Sequence, residues 1–462
     1  MFYSMRIYKL CLLFFTIVIL FLSSNVFASD QKDTPTLSES ELTSMINKAE
    51  PLIEEVTGRK FKKRMKHEIV DRAKLYDTLR KSGSSLYKKN LKNFDGETIT
   101  RQVEAEASIS SQNISGLYLL REKALYVTPS NIASAMESLQ VKSENYHDFV
   151  FLVVVHEMVH ALDDQYFNLS KLYIATKNTE EYQALNSLIE GNAVYVSEII
   201  ADRLNIPEST RSFSKKVTSE LSEAQKTFSQ QYINGYEFVE AIINKNGKSA
   251  VEAAFKNPPV TTVQILNPEE YLNPVKRAKV DYVKLLEKVT MDTTPESMKT
   301  QTMALGAMDL NKSLILNGIT RDEAGLITKD CLTGSGYHAV KPVAKPRSIS
   351  IEIYNFRKND SALKLKEANL KIQESKVNQA KASLNTKLNI IKEEAIKLDG
   401  YDHILFRESE MKKAKAITKS IEVTGLMGCN YISLRYENME EITRGDAMKV
   451  LNLIYSEYIK LN

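Results

Sequence analysis

Apolar residues recur along this chain at several spacings, and each spacing predicts a different element. From Leu37 to about Arg80 the pattern is helical and charged: Leu42, Met45, Ile46, Ile53 and Val56 mark one face of a helix laid on a core. Two short runs, Ile114–Leu120 and Ala124–Val127, flank the charged turn Arg121-Glu122-Lys123 and predict a β-hairpin. The apolar stretch Phe149–Val155 continues into His156-Glu157-Met158-Val159-His160-Ala161-Leu162; it is too long for a strand and too short to span a bilayer, so it predicts a buried helix. Residues 180–205 form a second helix with Leu185, Leu188, Ile189, Val196 and Ile199 on its apolar side, and 217–245 look helical again. Pro258, Pro259, Pro268 and Pro274 make 256–275 an extended, rigid connection, with further helix to about Leu316. Ile349, Ile351 and Ile353, and later Ile432, Leu434 and Tyr436, alternate with polar residues and predict two strands that pair in a C-terminal unit. Between them a long charged helix is predicted over 360–398. Its Leu363, Leu370, Val377, Leu384, Ile391 and Leu398 recur every seventh residue, but the companion column Lys366, Gln373, Ala380, Lys387, Glu394 is mostly polar, which excludes a coiled coil. The helix is either solvated along its own domain or an arm that binds a partner.

Length turns this element list into a domain plan. At 462 residues the chain exceeds what one core usually holds. We read a signal peptide over 1–28, an N-terminal helical region over 29–110, a core over 111–275, a helical extension over 276–340 and a C-terminal α+β unit over 341–462. The leader carries Arg6 and Lys9, a 13-residue apolar run from Leu10 to Leu22 and the small-residue exit Val26-Phe27-Ala28, which predicts export by cleavage after Ala28. The alternative is an uncleaved anchor, although the run falls short of the ~20 residues that a span needs. After cleavage no stable membrane span remains, and the destination is periplasmic, extracellular or cell-surface. Cys331 and Cys429 are then the cysteines left, and in an exported chain they either close a disulfide or stay as two buried thiols. The formal charge of +4 falls to +2 when Arg6 and Lys9 leave, which gives no reason to expect nucleic acid or an anionic membrane as partner. Oligomeric state leaves no mark in the pattern.

The chemistry concentrates on the buried helix. The chain has six histidines, and two of them fall four apart with a glutamate directly after the first. On a helix, positions i and i+4 share a face, so His156 and His160 can address one ion, while Glu157 is turned about 100° away to a neighbouring position. Neutral imidazoles suit zinc, and a catalytic zinc commonly takes three protein ligands and keeps one position open, so one Zn2+ per chain needs a third donor from elsewhere. Glu190, in an otherwise apolar helix face beside the small residues Gly191 and Ala193, is that donor, because a buried carboxylate there needs a cation. Glu180 and Glu181 are rivals, nearer in sequence but set in a polar stretch. Asp164 continues the His160 face; it either orients a ligand histidine or is an exposed charge at the helix end.

These residues resemble a known group. His156-Glu157-x-x-His160 with a later helical Glu190 is similar to the gluzincin division of zincin metallopeptidases, and His156 through Gln165 with Glu190-Gly191-x-Ala193 resembles exported bacterial metallopeptidase-like proteins. The resemblance covers roughly 110–275, including Pro259–Pro268, where such relatives carry a histidine just before the last proline and this chain has Asn267. It implies an α+β, mostly helical, zincin-like hydrolase that cleaves peptide bonds in a peptide or protein substrate by a zinc-activated water. Glu157 would be the general base, with an electrophile for the oxyanion, for which Tyr195 and His338 are candidates. It also casts Ala124–Val127 as an edge strand that holds extended substrate. The rival is a non-catalytic exported binding or scaffolding protein with a structural metal and a partner-binding long helix. A retained Glu157 speaks against it.

Overall fold

The computed structural model describes residues 36–461, apart from 91–95, 212–228, 275–279, 292, 342, 344, 384, 385, 414 and 415. The leader read over 1–28 and the first part of the helix read over 217–245 therefore lie outside the described residues. The chain divides into two units, one running to Thr176 and resuming over Leu185–Pro258, the other made of Lys177–Ala184 and Pro259–Asn462.

The first unit is mainly helical. Helix α1 (Glu39–Thr57) starts at a capping box between Ser38 and Glu41 and stops at Gly58, whose positive φ of 71° costs little without a Cβ. Its Leu42, Ile46, Ala49, Ile53 and Val56 face the core. Strand β1 (Lys66–Ile69), α2 (Arg72–Asn90) and α3 (Gly96–Asn113) lead to β2 (Gly116–Leu119) and β3 (Ala124–Val127), then α4 (Pro129–Ser138). The predicted hairpin is present, with Leu117 opposite Tyr126 and Tyr118 opposite Leu125. The sheet order is β1-β3-β2, with β1 parallel to β3. Ala124–Val127 is thus the central strand, not a free edge, and cannot hold a substrate strand; the four-residue β1 that covers it sits in a stretch read as continuous helix.

Helix α5 (Tyr146–Phe167) carries the His-Glu-x-x-His run and is buried around almost its whole circumference, the apolar run Phe149–Val155 and the His-Glu-x-x-His residues alike. It ends at Asn168, whose left-handed backbone also lets its side chain cap α6 (Leu169–Ala175). Helices α7 (Thr179–Arg203), α8 (Gln230–Asn246) and α9 (Ser249–Lys256) follow.

In the second unit the prolines of 256–275 start short helices rather than an extended connection: α10 (Thr262–Leu266), capped by Thr261 and Gln264, and α11 (Glu269–Leu272), which begins after Pro268. Helix α12 (Tyr282–Met291) is separated from α13 (Ala307–Leu316) by β4 (Lys299–Leu305), a strand in a region read as helix. Then come α14 (Arg321–Thr328), β5 (Cys331–Lys341), β6 (Arg347–Phe356), α15 (Asn359–Ala382), β7 (Thr386–Leu398), β8 (Tyr401–Lys413), β9 (Ala416–Met427), β10 (Asn430–Glu437) and α16 (Arg444–Leu461). The long helix expected over 360–398 therefore ends at Ala382, and its last turns are strand. Leu388 and Ile390 alternate with Lys387 and Asn389, a period-two signal that pairing with β8 turns into structure.

All neighbours in the seven-stranded sheet, order β4-β5-β6-β10-β9-β8-β7, are antiparallel. The two strands predicted from alternation do pair, with Ile432 opposite Ile353 and Leu434 opposite Ile351. Ile349, Ile351 and Ile353 enter the core under α12 and α16, while Tyr354 and Phe356 enter the one under α13, α14 and α15. Both cysteines are free thiols, so the disulfide is not formed: Cys331 opens β5 beside Phe356 and is buried, whereas Cys429 lies in the turn between β9 and β10. The chain is α+β, with a helical zincin-like unit around α5 and α7 and a β-rich C-terminal unit.

Candidate metal centre

Two helices supply three donors. His156 and His160, one turn apart on α5, set their rings edge to face with centroids 4.7 Å apart. From α7 the Glu190 carboxylate places Oε2 3.2 Å from His156 Nε2 and 3.5 Å from His160 Nε2. One donor atom from each of the three residues lies within 4.8 Å of the others, and among the described residues no other group of three His, Cys, Asp or Glu side chains does this. Tetrahedral zinc with bonds of 2.0–2.1 Å separates its ligand atoms by about 3.3 Å, so the two measured spacings fit that ion.

Electrostatics points the same way. Exposure is 3% for His156 and 0% for His160, Glu157 and Glu190. Burial lowers the His156 pKa to about 3, and burial, then the neighbouring His156, holds His160 well below its usual range, leaving both imidazoles neutral. Burial, then the nearby Glu157, holds Glu190 well above the carboxylate range. Glu190 Oε1 and both His160 nitrogens have no hydrogen-bond partner. Two carboxylates and two imidazoles sealed from water without a cation are costly, and a divalent ion reverses that cost. The donor set fits zinc.

Glu157 stands beside the donors. Its Oε2 accepts the Tyr118 backbone N–H of β2 at 2.6 Å, while Oε1 has no partner. Burial raises its pKa to about 8, against the opposing pull of that N–H. Gly116 makes the approach possible: a Cβ there would lie 2.5 Å from Val153 Cγ1 and 3.0 Å from Glu157 Cγ.

Several sequence-based assignments change. Asp164 orients neither histidine; its Oδ2 accepts the Tyr118 hydroxyl at 2.9 Å and Lys123 Nζ at 2.5 Å, and its Oδ1 accepts the Leu169 N–H at 3.1 Å. It ties the hairpin to α5 and so steadies the strand whose N–H holds Glu157. Tyr118→Phe keeps that N–H and the Lys123–Asp164 ion pair but removes the hydroxyl tie, and is expected to lower turnover by up to about tenfold with zinc content unchanged, checked by kinetics alongside metal analysis. Tyr195, five residues past Glu190 and so about 140° round α7 from it, sets its ring 6.1 Å from that of Tyr236. His338 belongs to β5 of the second unit, its Nδ1 3.2 Å from Ser350 Oγ. Of the rival ligands, Glu181 accepts the Lys177 N–H and Glu180 packs against Gly306, so neither joins the donors. Asn267 ends α10.

Sequence reading missed Gly116, Tyr118, Asp163 and Tyr232. The Tyr232 ring on α8 lies 6.2 Å from the His156 ring, and no motif marks it. Asp163, fully buried, accepts Arg59 Nη2 at 2.6 Å and Asn192 Nδ2 at 2.8 Å; an acidic residue directly after the apolar pair Ala161-Leu162 of a buried helix was the available signal.

No protein-family model matches the chain, and no curated protein matches it. Among solved structures it is similar to "a putative hydrolase with a novel fold from Chloroflexus aurantiacus", at 20% identity over 52% of this chain and 91% of that one, with a TM-score of 0.40, a likeness on which nothing here rests. The helices themselves are more informative: two histidines of an HExxH turn and a glutamate from a distal helix converge on one point, which is the zinc-binding architecture of the gluzincins.

Proposed function

We propose that the protein is an exported zinc-dependent peptidase. The observation that carries the peptidase reading is the division of labour within Glu157, one oxygen fixed by a backbone N–H and the other unpartnered next to a His-His-Glu donor set. His156, His160 and Glu190 would hold the zinc, which when bound would supply Lewis acidity for the peptide carbonyl and for water. Glu157 Oε1 takes the proton from the attacking water and returns it to the leaving nitrogen, with Tyr118 N–H keeping the carboxylate aimed. Export is supported by the charged, apolar and small-residue order of 1–28, and among the described residues no helix is long and apolar enough to cross a membrane.

Metal analysis tests the centre directly. The purified chain is expected to hold about one zinc, and His160→Ala to hold none. At a thousandfold excess of free zinc over its dissociation constant, the metal adds about 4 kcal/mol to stability, so a chelator should lower the unfolding midpoint of the wild type and not that of His160→Ala. A folded wild type that takes up no zinc would overturn the centre.

One observation favours a second reading. The four side chains are at most 3% exposed, as in a structural site, which fits an exported binding protein whose metal only braces α5 against α7. That protein would have no use for Glu157 Oε1, and hydrolysis separates the two readings.

A further inference from the structure

The two ligand-bearing helices are joined by a polar contact that is not itself part of the donor set. Asp163 lies three residues beyond His160 on α5, and Asn192 two residues beyond Glu190 on α7, about 4.5 Å and 3 Å along their axes from those ligands. Both side chains are buried, and Asn192 Nδ2 donates to Asp163 Oδ2 at 2.8 Å. The other carboxylate oxygen, Oδ1, accepts Arg59 Nη2 at 2.6 Å, from the turn that follows α1. Thus the guanidinium balances the charge, while the amide alone crosses to α7. Next to Asn192, α7 is pressed against α8 where Gly191 meets Gly235: a Cβ on Gly191 would come within 2.1 Å of the Gly235 carbonyl carbon. Backbone contact thus sets how near α7 comes to α8, and the Asn192–Asp163 bond sets how far it stands from α5.

We propose that Asp163 and Asn192 are positioning residues that set the separation between the Glu190 carboxylate and the two imidazoles, and hence the affinity of the centre for zinc. The inference rests on the metal centre proposed above and adds what tunes it. Tetrahedral coordination tolerates errors of only a few tenths of an ångström in ligand spacing, whereas an apolar helix contact leaves sliding along the axis comparatively free. A hydrogen bond one turn from the ligands removes that freedom. Arg59 donates to the other oxygen of Asp163, so the N-terminal segment braces the centre without touching it.

The test is zinc affinity of the full chain, measured by competition with a chromophoric chelator, together with the unfolding midpoint of the zinc-free form. Asn192→Ala deletes the bond between helices and leaves the Arg59–Asp163 pair intact; zinc affinity should fall at least about tenfold. Asp163→Asn keeps one oxygen for Asn192 but turns an amide N–H towards Arg59, and should lower affinity less than Asn192→Ala does. The matched control is Asn186→Ala, which removes hydrogen bonds from the same helix to Tyr173 of α6 and Gln231 of α8 and should change affinity less than about twofold. If Asn192→Ala binds zinc like the wild type, or Asn186→Ala weakens binding as much, the contact is ordinary packing and the inference fails. A wild type that binds no zinc fails at the earlier step, and takes the metal centre with it.

Discussion

Glu157→Gln is expected to keep one zinc per chain and a normal unfolding midpoint while turnover on unfolded casein drops by about 10²–10⁴-fold, or about 3–5 kcal/mol of transition-state stabilisation. The substitution is close to isosteric, and the glutamine oxygen can still accept the Tyr118 N–H, so geometry is preserved. What disappears is a group able to bind the proton of water and hand it to the departing amine. Because Oε1 has no protein partner, no buried bond is lost that would confuse the reading with misfolding. Equal hydrolysis by the variant and the wild type would remove the base, and no hydrolysis by either, with zinc bound, would move the protein to the structural-metal reading.

Gly191→Ala is expected to carry the largest structural effect. In an open helix this change gains about 1 kcal/mol from propensity. Here the added carbon would sit 2.1 Å from the Gly235 carbonyl carbon and 2.2 Å from its oxygen, and backbone atoms have no rotamer with which to yield. Separating α7 from α8 strips packing along the whole crossing, so we expect a net loss of about 2–3 kcal/mol in chelator, measured by denaturant unfolding. Gly235→Ala should behave alike, since its Cβ would meet the Ser187 carbonyl oxygen at 2.0 Å. Unchanged stability in both would show that the helices part at little cost.

The site was more legible than the fold around it. His156, Glu157 and His160 declare themselves because a helix makes sequence spacing into geometry. Glu190 followed from a second local anomaly, a carboxylate on an apolar face beside residues small enough for close helix approach, and Gly191 does meet another helix. Tyr118 left no such trace, because its contribution is a backbone N–H, a group every residue but proline possesses. Asp164 misled for a related reason: its position on the histidine face was right, but its partners Tyr118 and Lys123 lie about forty residues upstream in a hairpin. Strands fared similarly. β6 and β10 alternate cleanly because Ile349, Ile351, Ile353, Ile432, Leu434 and Tyr436 face one core while the residues between them are half-exposed, whereas β7 is exposed along much of its length, and its mixture of Lys, Glu and Ile fits a solvated helix equally well. Only its partner β8 decides. Likewise β1 and β4 carry polar, half-exposed sequences whose strand state comes from their neighbours.

Gly116 brings a broader consequence. The strand that aims the base lies so close to α5 that not even a methyl group fits between them. Reactivity is therefore bounded by empty space as well as by charge, and the chemistry could be silenced, in a drifting lineage or at the bench, by one extra carbon that neither ligates metal nor exchanges a proton. A copy of this chain with every polar motif intact could still be inert, so recognising an active homologue requires reading the small residue on the strand together with the histidines on the helix.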